Sequence, residues 1–373
     1  MNITIIQTLF TKIILPLVLL FYIDSFQLVI ACTRVLFVGN DNTVITGRSM
    51  DWIEEMRTNI WVFPRGIKRN GEAGTGSPTW TTKYGSIASS VYELATADGM
   101  NEKGLVMNML YLVETDYGKS MDPKKHPPIS ISLWGQYALD NFATVAEAVT
   151  AMQNNPFQIL SFSLPNGEPS QVHLSLSDVT GDSAIFEYVD GKLIIHHSKE
   201  YKVMTNSPIY SRQLAINEYW QDVGGAIFLP GTNRAVDRFA RASFFIQTVP
   251  KTLNNNFIKD VPYRTFENQA RSEVLSIMRA VSVPLGITTA DKPNIASTIW
   301  RTMSDQKHLI YYFDSSTSPT IFWVSLKELN LAEGAPILKL SLDQGEMYSG
   351  EVAKQFKPSE PLKFLGAALQ IPK

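Results

Sequence analysis

Cysteine is almost missing from this chain: Cys32 is the only one in 373 residues. No intramolecular disulfide can form, so packing and hydrogen bonds alone must hold the fold. Histidine is scarce too, at five. His173, His196 and His197 fall on predicted strands without metal-ligand spacing and read as structural. There is no zinc pattern, Walker loop or dinucleotide fingerprint, so the sequence calls for no metal and no cofactor. Nor is there an excess of one charge. Lys and Arg number 33 against 35 Asp and Glu, a net charge of −2, which gives no sign of a nucleic-acid partner. Long apolar runs are confined to the start. Ile13 to Ala31 is apolar behind the single charge of Lys12, and Pro16, Asp24 and Gln27 interrupt it. This reads as a signal peptide over 1–31 rather than a permanent membrane span. The expected product is one domain, 32–373, exported to a periplasm or secreted.

What is present is organised around the end of that leader. In Val29-Ile30-Ala31-Cys32-Thr33-Arg34, small residues at Val29 and Ala31 suit cleavage before Cys32. Cys32 would then carry a thiol and a free α-amine on one residue. A thiolate is a strong nucleophile, and an α-amine titrating near pH ~8 can serve as its base. Val-Ile-Ala-Cys also fits a lipobox, in which Cys32 would only anchor a non-catalytic envelope protein. The residues after it, Thr33–Val38, read as a strand rather than a flexible tether.

The rest of the chain alternates blocks of strands and helices. Thr33–Val38 and Thr43–Thr46 form a hairpin around Gly39-Asn40-Asp41-Asn42. Asn59–Phe63 is a strand, and Arg65 to Pro78 a loop. Ser86–Thr96 and Leu105–Leu112 pair around a turn at Asp98-Gly99. Helices are expected over Ser130–Phe142 and over Val145–Met152 behind an N-cap at Thr144. Strands follow at Gln171–Asp178, Ala184–Tyr188 and Lys192–His197, then a turn at Thr205–Pro208 and a helix to Trp220. Ala235–Thr248 and Gln269–Ala280 are helical. Ser297–Ser304, Leu309–Asp314 and Thr320–Ser325 are strands. That order predicts an α+β fold, antiparallel sheets covered by helices.

Arg48 and Asp51 follow Cys32 closely in sequence. Arg48 can lower a thiol pKa by its fixed charge, and Asp51 can hold a terminal ammonium; by spacing alone they also fit a surface pair beside a turn. Here the chain becomes familiar. Cys32 with Gly47-Arg48-Ser49-Met50-Asp51-Trp52 resembles the start of the choloylglycine hydrolase family, the N-terminal-nucleophile hydrolases that include bile salt hydrolases and penicillin V acylases. The likeness continues in Ala97–Leu105, Gln136–Val145, Ser177–Ala184, Thr205–Pro208, Leu229-Pro230-Gly231, Arg238–Ala242 and Thr298-Ile299-Trp300. It spans nearly the whole chain after the leader.

The resemblance implies a four-layer αββα sandwich of two antiparallel sheets. It implies an exported hydrolase of linear non-peptide amides, such as conjugated bile salts or the penicillin V side chain; N-acyl homoserine lactones are an alternative substrate. Cys32 would be nucleophile and base, Arg48 and Asp51 would tune it, and Asn206 would donate to the oxyanion. Tyr111 would give a second oxyanion donor from its N–H and line the acyl pocket. Arg238 would complete the site, with Arg241, one turn on, able to take its place. The expected partner is a small-molecule amide, and the sequence leaves a homo-oligomer open.

Overall fold

The computed structural model describes residues 32–119, 122–286 and 296–367. The leader expected over 1–31 lies outside the described residues. Two large sheets dominate. In the first, the strands run edge to edge as Val203–Met204, Thr33–Val38, Val44–Trp52, Ser297–Asp305, Ile310–Ser315, Ile321–Ser325 and Gly350–Glu351. In the second, the order is Lys192–His197, Ser183–Val189, Val172–Ser177, Val106–Tyr111, Ala95–Asn101, Ser86–Val91, Ile60–Phe63, Leu338–Leu340 and Lys357–Pro358. All neighbours are antiparallel except the last pair of the first sheet.

Period-two alternation decides which face each residue serves. On the second sheet, Ile60, Val62, Val106 and Leu110 point toward the first sheet, while Trp61, Phe63, Met107 and Met109 point away. The outward set packs under helices α1 (Ile131–Asn141) and α2 (Val145–Met152). Helices α4 (Ala235–Thr248) and α5 (Phe266–Ala280) cover the first sheet, and α3 (Tyr210–Val223) packs on α4. The architecture is therefore α+β, four layers in the order αββα. Val44–Trp52 is buried at all nine positions because both of its faces are covered. Gly47 lets α5 sit close: a Cβ there would come 2.8 Å from Met278 and 2.9 Å from Val274.

Several expectations change. Asp98-Gly99 is not a turn; it lies inside the strand Ala95–Asn101. The chain turns instead at Tyr92 and Glu93, with φ of 54° and 56°, and again at Gly104. Asp-Gly is a turn signal only where nothing else needs those residues, and here a Cβ on Gly99 would lie 2.6 Å from the Ile87 carbonyl. The 65–78 loop contains a short strand, Lys68–Asn70, paired with Thr79–Thr81. The first hairpin's return strand does not stop at Thr46 but runs to Trp52. Thr144 caps α2 as expected, accepting from Glu147 N at 3.2 Å.

Two of the three strand histidines, His173 and His196, serve one buried carboxylate, while His197 meets Asp182 at 2.9 Å. Glu187 lies 3.0 Å from His173 Nδ1 and 3.5 Å from His196 Nε2, and accepts from the Tyr210 N–H at 3.0 Å. Burial opposes its ionisation, but these donors outweigh burial and hold its pKa at about 2. A depressed carboxyl adds stability above its unfolded pKa and loses it as pH falls through the folded one. Glu187→Gln should therefore cost on the order of 2–3 kcal/mol at neutral pH. The gap from the parent should close between pH ~4.5 and ~2. Urea midpoints of both proteins across that range check this; a gap independent of pH would show that Glu187 acts by packing alone.

Candidate active site

Cys32 stands just before the first strand of the first sheet. Thr33 pairs with Ser49 and Arg34 with Arg48, so the register sets Cys32 opposite Met50, between Arg48 and Asp51. The Cys32 Sγ lies 3.9 Å from Met50 Sδ and 3.9 Å from Arg48 Nη2, and the Asp51 N–H approaches it at 3.5 Å. Both Arg48 and Asp51 are fully buried, so the surface-pair reading does not hold. Ser297–Asp305 borders the other side of this strand, and Thr298, opposite Asp51 in register, donates to Asp51 Oδ1 at 2.5 Å. Asp51 Oδ2 accepts no hydrogen bond and sits 3.8 Å from Arg238 Nη1.

The remaining groups arrive from the opposite edge. Val203–Met204 pairs with Arg34 and Val35, which delivers Asn206 beside Cys32 two residues later. Asn206 Oδ1 accepts from the Cys32 main-chain nitrogen and from Arg238 Nη2. Arg238, in the first turns of α4, donates through Nη1 to the Cys32 carbonyl at 2.6 Å and to Thr33 Oγ1. Arg241 is elsewhere: it ties down the Pro230 and Thr232 carbonyls at 2.7 and 2.8 Å. The helix turn that separates the two arginines puts only Arg238 against Cys32.

Tyr111 contributes through its backbone. Leu112 donates to the Gln171 carbonyl at 3.0 Å, so alternate residues of the strand, Tyr111 included, turn their main-chain groups the other way. On that side the ladder with Ala95–Asn101 ends at Asp98↔Asn108. The carbonyls freed beyond it are taken by side chains of the site: Met109 O accepts from Arg48 Nη2 at 3.1 Å, and Tyr111 O from Asn206 Nδ2 at 2.7 Å. The splayed strands open a cavity of about 90 Å³ against Cys32. Its walls are apolar, with Met50, Trp52, Met56, Val91, Leu164 and Tyr111 among them. The Tyr111 ring meets Trp52 edge-on, centroids 5.8 Å apart.

Electrostatics here are finely opposed. Burial pushes the Cys32 thiol up; Arg48 opposes that most strongly, the Asp51 carboxylate adds to the rise, and the Asp51 N–H and Arg238 pull it down. Burial likewise lifts Asp51 to about 6 against the pull of Arg238, Thr298 and Arg48. Arg48 lies over the Trp300 ring, 4.5 Å from its centroid. Thr298 and Trp300 were visible in sequence only as part of a resemblance, because their contacts depend on a cross-strand register that no local pattern specifies. Among the described residues no group of His, Cys, Asp and Glu could hold a metal ion, and no helix is long and apolar enough to cross a membrane.

The sequence pattern of linear amide C–N hydrolases, choloylglycine hydrolase family, matches residues 32–340. The chain belongs to the choloylglycine hydrolase family. As a member it is a linear amide C–N hydrolase of the penicillin V acylase-like kind, and the match begins at Cys32. It is 46% identical over 351 residues to the penicillin V acylase of Pectobacterium atrosepticum, covering 90% of this chain and 93% of that one. The solved penicillin V acylase of Agrobacterium tumefaciens superposes with a TM-score of 0.80 at 48% identity, covering 90% of this chain and all of that one. A conjugated bile acid hydrolase variant from Clostridium perfringens shares the fold, with a TM-score of 0.68 at 23% identity over 83% of this chain and 97% of that one. The two antiparallel sheets and their helical layers are thus those of the family.

Proposed function

We propose that this family member is exported, is cut before Cys32, and uses Cys32 as an N-terminal nucleophile against amides with an apolar, aromatic acyl group, as in penicillin V. The observation that carries this reading is the convergence on one residue. The Cys32 sulfur faces Arg48 and the mouth of the apolar cavity, its nitrogen meets Asn206, and its carbonyl meets Arg238. The relatives that match over nine-tenths of the chain bear the penicillin V acylase name. The leader's composition supports export to a periplasm or beyond.

In this account the Cys32 amine takes the thiol proton and the thiolate adds to the amide carbon. The Asn206 Nδ2 has a second N–H beside the one given to Tyr111 O, and with the Tyr111 N–H it receives the oxyanion. The ammonium protonates the departing nitrogen, the C–N bond breaks, and a thioester remains. Water, deprotonated by the same amine, hydrolyses it and restores the thiol. The acyl group lies in the cavity between Trp52, Tyr111 and Leu164. A lipid anchor on Cys32 fits poorly, since a diacylglyceryl chain needs its sulfur at the surface and Cys32 is only 2% exposed.

Asn206→Ala tests the oxyanion role. We expect kcat to fall by ~10²–10³ with far less change in KM, the usual result of removing one oxyanion donor. A change confined to KM would make Asn206 a binding residue. For substrate, we expect penicillin V to have a higher kcat/KM than taurine- or glycine-conjugated bile salts or acyl homoserine lactones. Preference for a bile salt in that panel would overturn the aromatic-acyl reading.

A further inference from the structure

The cavity beside Cys32 does not end between the two sheets. On its wall, Met50, Trp52, Met56 and Val91 belong to the core between the sheets, whereas Met109 and Ile131 belong to the core behind the second sheet. A single cavity lined from both cores must pass through that sheet. The opening is the gap where the strands Ala95–Asn101 and Val106–Tyr111 separate. Their ladder stops at Asp98↔Asn108. Beyond that point the cavity is bordered by Thr96 and Ala97 on one strand and by Met109 and Tyr111 on the other. The Met109 and Tyr111 carbonyls are held by Arg48 and Asn206 instead of by a neighbouring strand.

Cys32 marks one end, and the other lies on the far side of the second sheet. There the cavity meets Ile131 and Ser132, the first residues of α1, and Leu365. Leu365 is buried yet belongs to neither core, while its neighbours Leu362 and Phe364 are in the outer one. Its side chain is committed to the cavity wall. Its backbone is fixed on both sides. The Leu365 N–H donates to the Leu94 carbonyl at 2.7 Å, and its carbonyl accepts from Ser130 Oγ at 2.5 Å and from Ser132 Oγ at 2.7 Å. Ala367 then donates to the Glu72 carbonyl at 2.8 Å. The chain runs so close to this oxygen that a Cβ on Gly366 would lie 2.1 Å from it. A leucine anchored in this way is a fixed wall. Two hydroxyls that border the cavity are turned to carbonyls: Ser132 Oγ to Leu365, and Ser170 Oγ to Phe162 at 2.6 Å.

We propose that Leu365 is a specificity-determining residue, the stop that sets how long an acyl group this hydrolase accepts. The proposal rests on Cys32 being the residue that is acylated. With the acyl carbonyl carbon at Cys32, an apolar chain or an aryl-ended one threads the gap between the separated strands, and its tip meets Leu365. A chain too long must displace a side chain whose backbone is tied down at both its N–H and its carbonyl. A chain too short leaves apolar wall uncovered. In a hydrophobic pocket one methylene more or less is worth about tenfold or more in kcat/KM, so a fixed stop gives a sharp optimum of length.

The test is kcat/KM for a series of straight-chain acyl amides of one leaving amine, from butanoyl to dodecanoyl. It is run on the processed parent, Leu365→Ala and Leu365→Trp, each first shown to keep a native circular dichroism spectrum. Leu365→Ala removes the part of the side chain beyond Cβ and leaves its space open. We expect the best chain length to increase by about two carbons, and the ratio of long to short substrates to rise about tenfold or more. Leu365→Trp fills the same end, so the optimum should shorten. General loosening of the structure would lower rates at every length without moving the optimum in opposite directions. An optimum that stays where it is, or moves the wrong way, overturns the proposal. Should one variant fail to fold, the other decides alone. The length optimum is a ratio between substrates, so an unmoved optimum in an active enzyme sinks this proposal and leaves the nucleophile reading standing. Retained hydrolysis in Cys32→Ala, or inactivity of the parent toward every length, would sink that reading and this proposal with it.

Discussion

Cys32→Ala should lose amide hydrolysis by at least about 10⁴-fold while keeping a native circular dichroism spectrum. The size follows from what one atom does. In the proposed mechanism the sulfur forms the thioester, and no second thiol exists in the chain to replace it. The fold should survive because the residue's structural ties run through its backbone. Its nitrogen meets Asn206 and its carbonyl meets Arg238, and alanine keeps both. The cost is limited to a lost sulfur contact with Met50 and a small void beside the cavity, on the order of 1 kcal/mol. Retained hydrolysis with a native spectrum would remove Cys32 as nucleophile. Loss of both together would be uninformative about catalysis, so the spectrum and the rate belong to one experiment.

How much of this was legible beforehand varies with the range of the forces involved. The helices over 131–141, 145–152 and 235–248 were readable because periodicity and caps are local; Thr144 announces its own cap. Cys32, Arg48 and Asp51 were nameable as candidates, but spacing alone fitted a surface pair equally well, since burial depends on layers added hundreds of residues later. Asp98-Gly99 misled for the same reason. Its dipeptide has a turn preference worth little beside the hydrogen bonds that Asn108 and Tyr311 give the buried Asp98 carboxyl group. The choice between Arg238 and Arg241 needed the rotation of α4 on the sheet. Asn206 could not be separated from an ordinary turn residue until the Val203–Met204 edge strand set it beside Cys32.

The second large effect concerns the nitrogen. With a residue ahead of it, the Cys32 nitrogen is a peptide amide, with no basicity and one N–H, which goes to Asn206 Oδ1. Asp51 Oδ2 is left buried without a hydrogen bond, an arrangement that costs about 1–3 kcal/mol. A free α-ammonium brings three donors to this corner, one for Asn206, one for Asp51 and one to give to a leaving amine. Any residue retained ahead of Cys32 should therefore silence the enzyme without unfolding it. The most direct measurement compares intact mass with specific activity. One sample is the processed protein starting at Cys32; the other carries Met-Gly-Ser before Cys32 and has no cleavage route. The account predicts hydrolysis only from molecules whose mass shows Cys32 at the terminus. Full activity from the extended protein, with its mass confirming that all three residues remain, would contradict it.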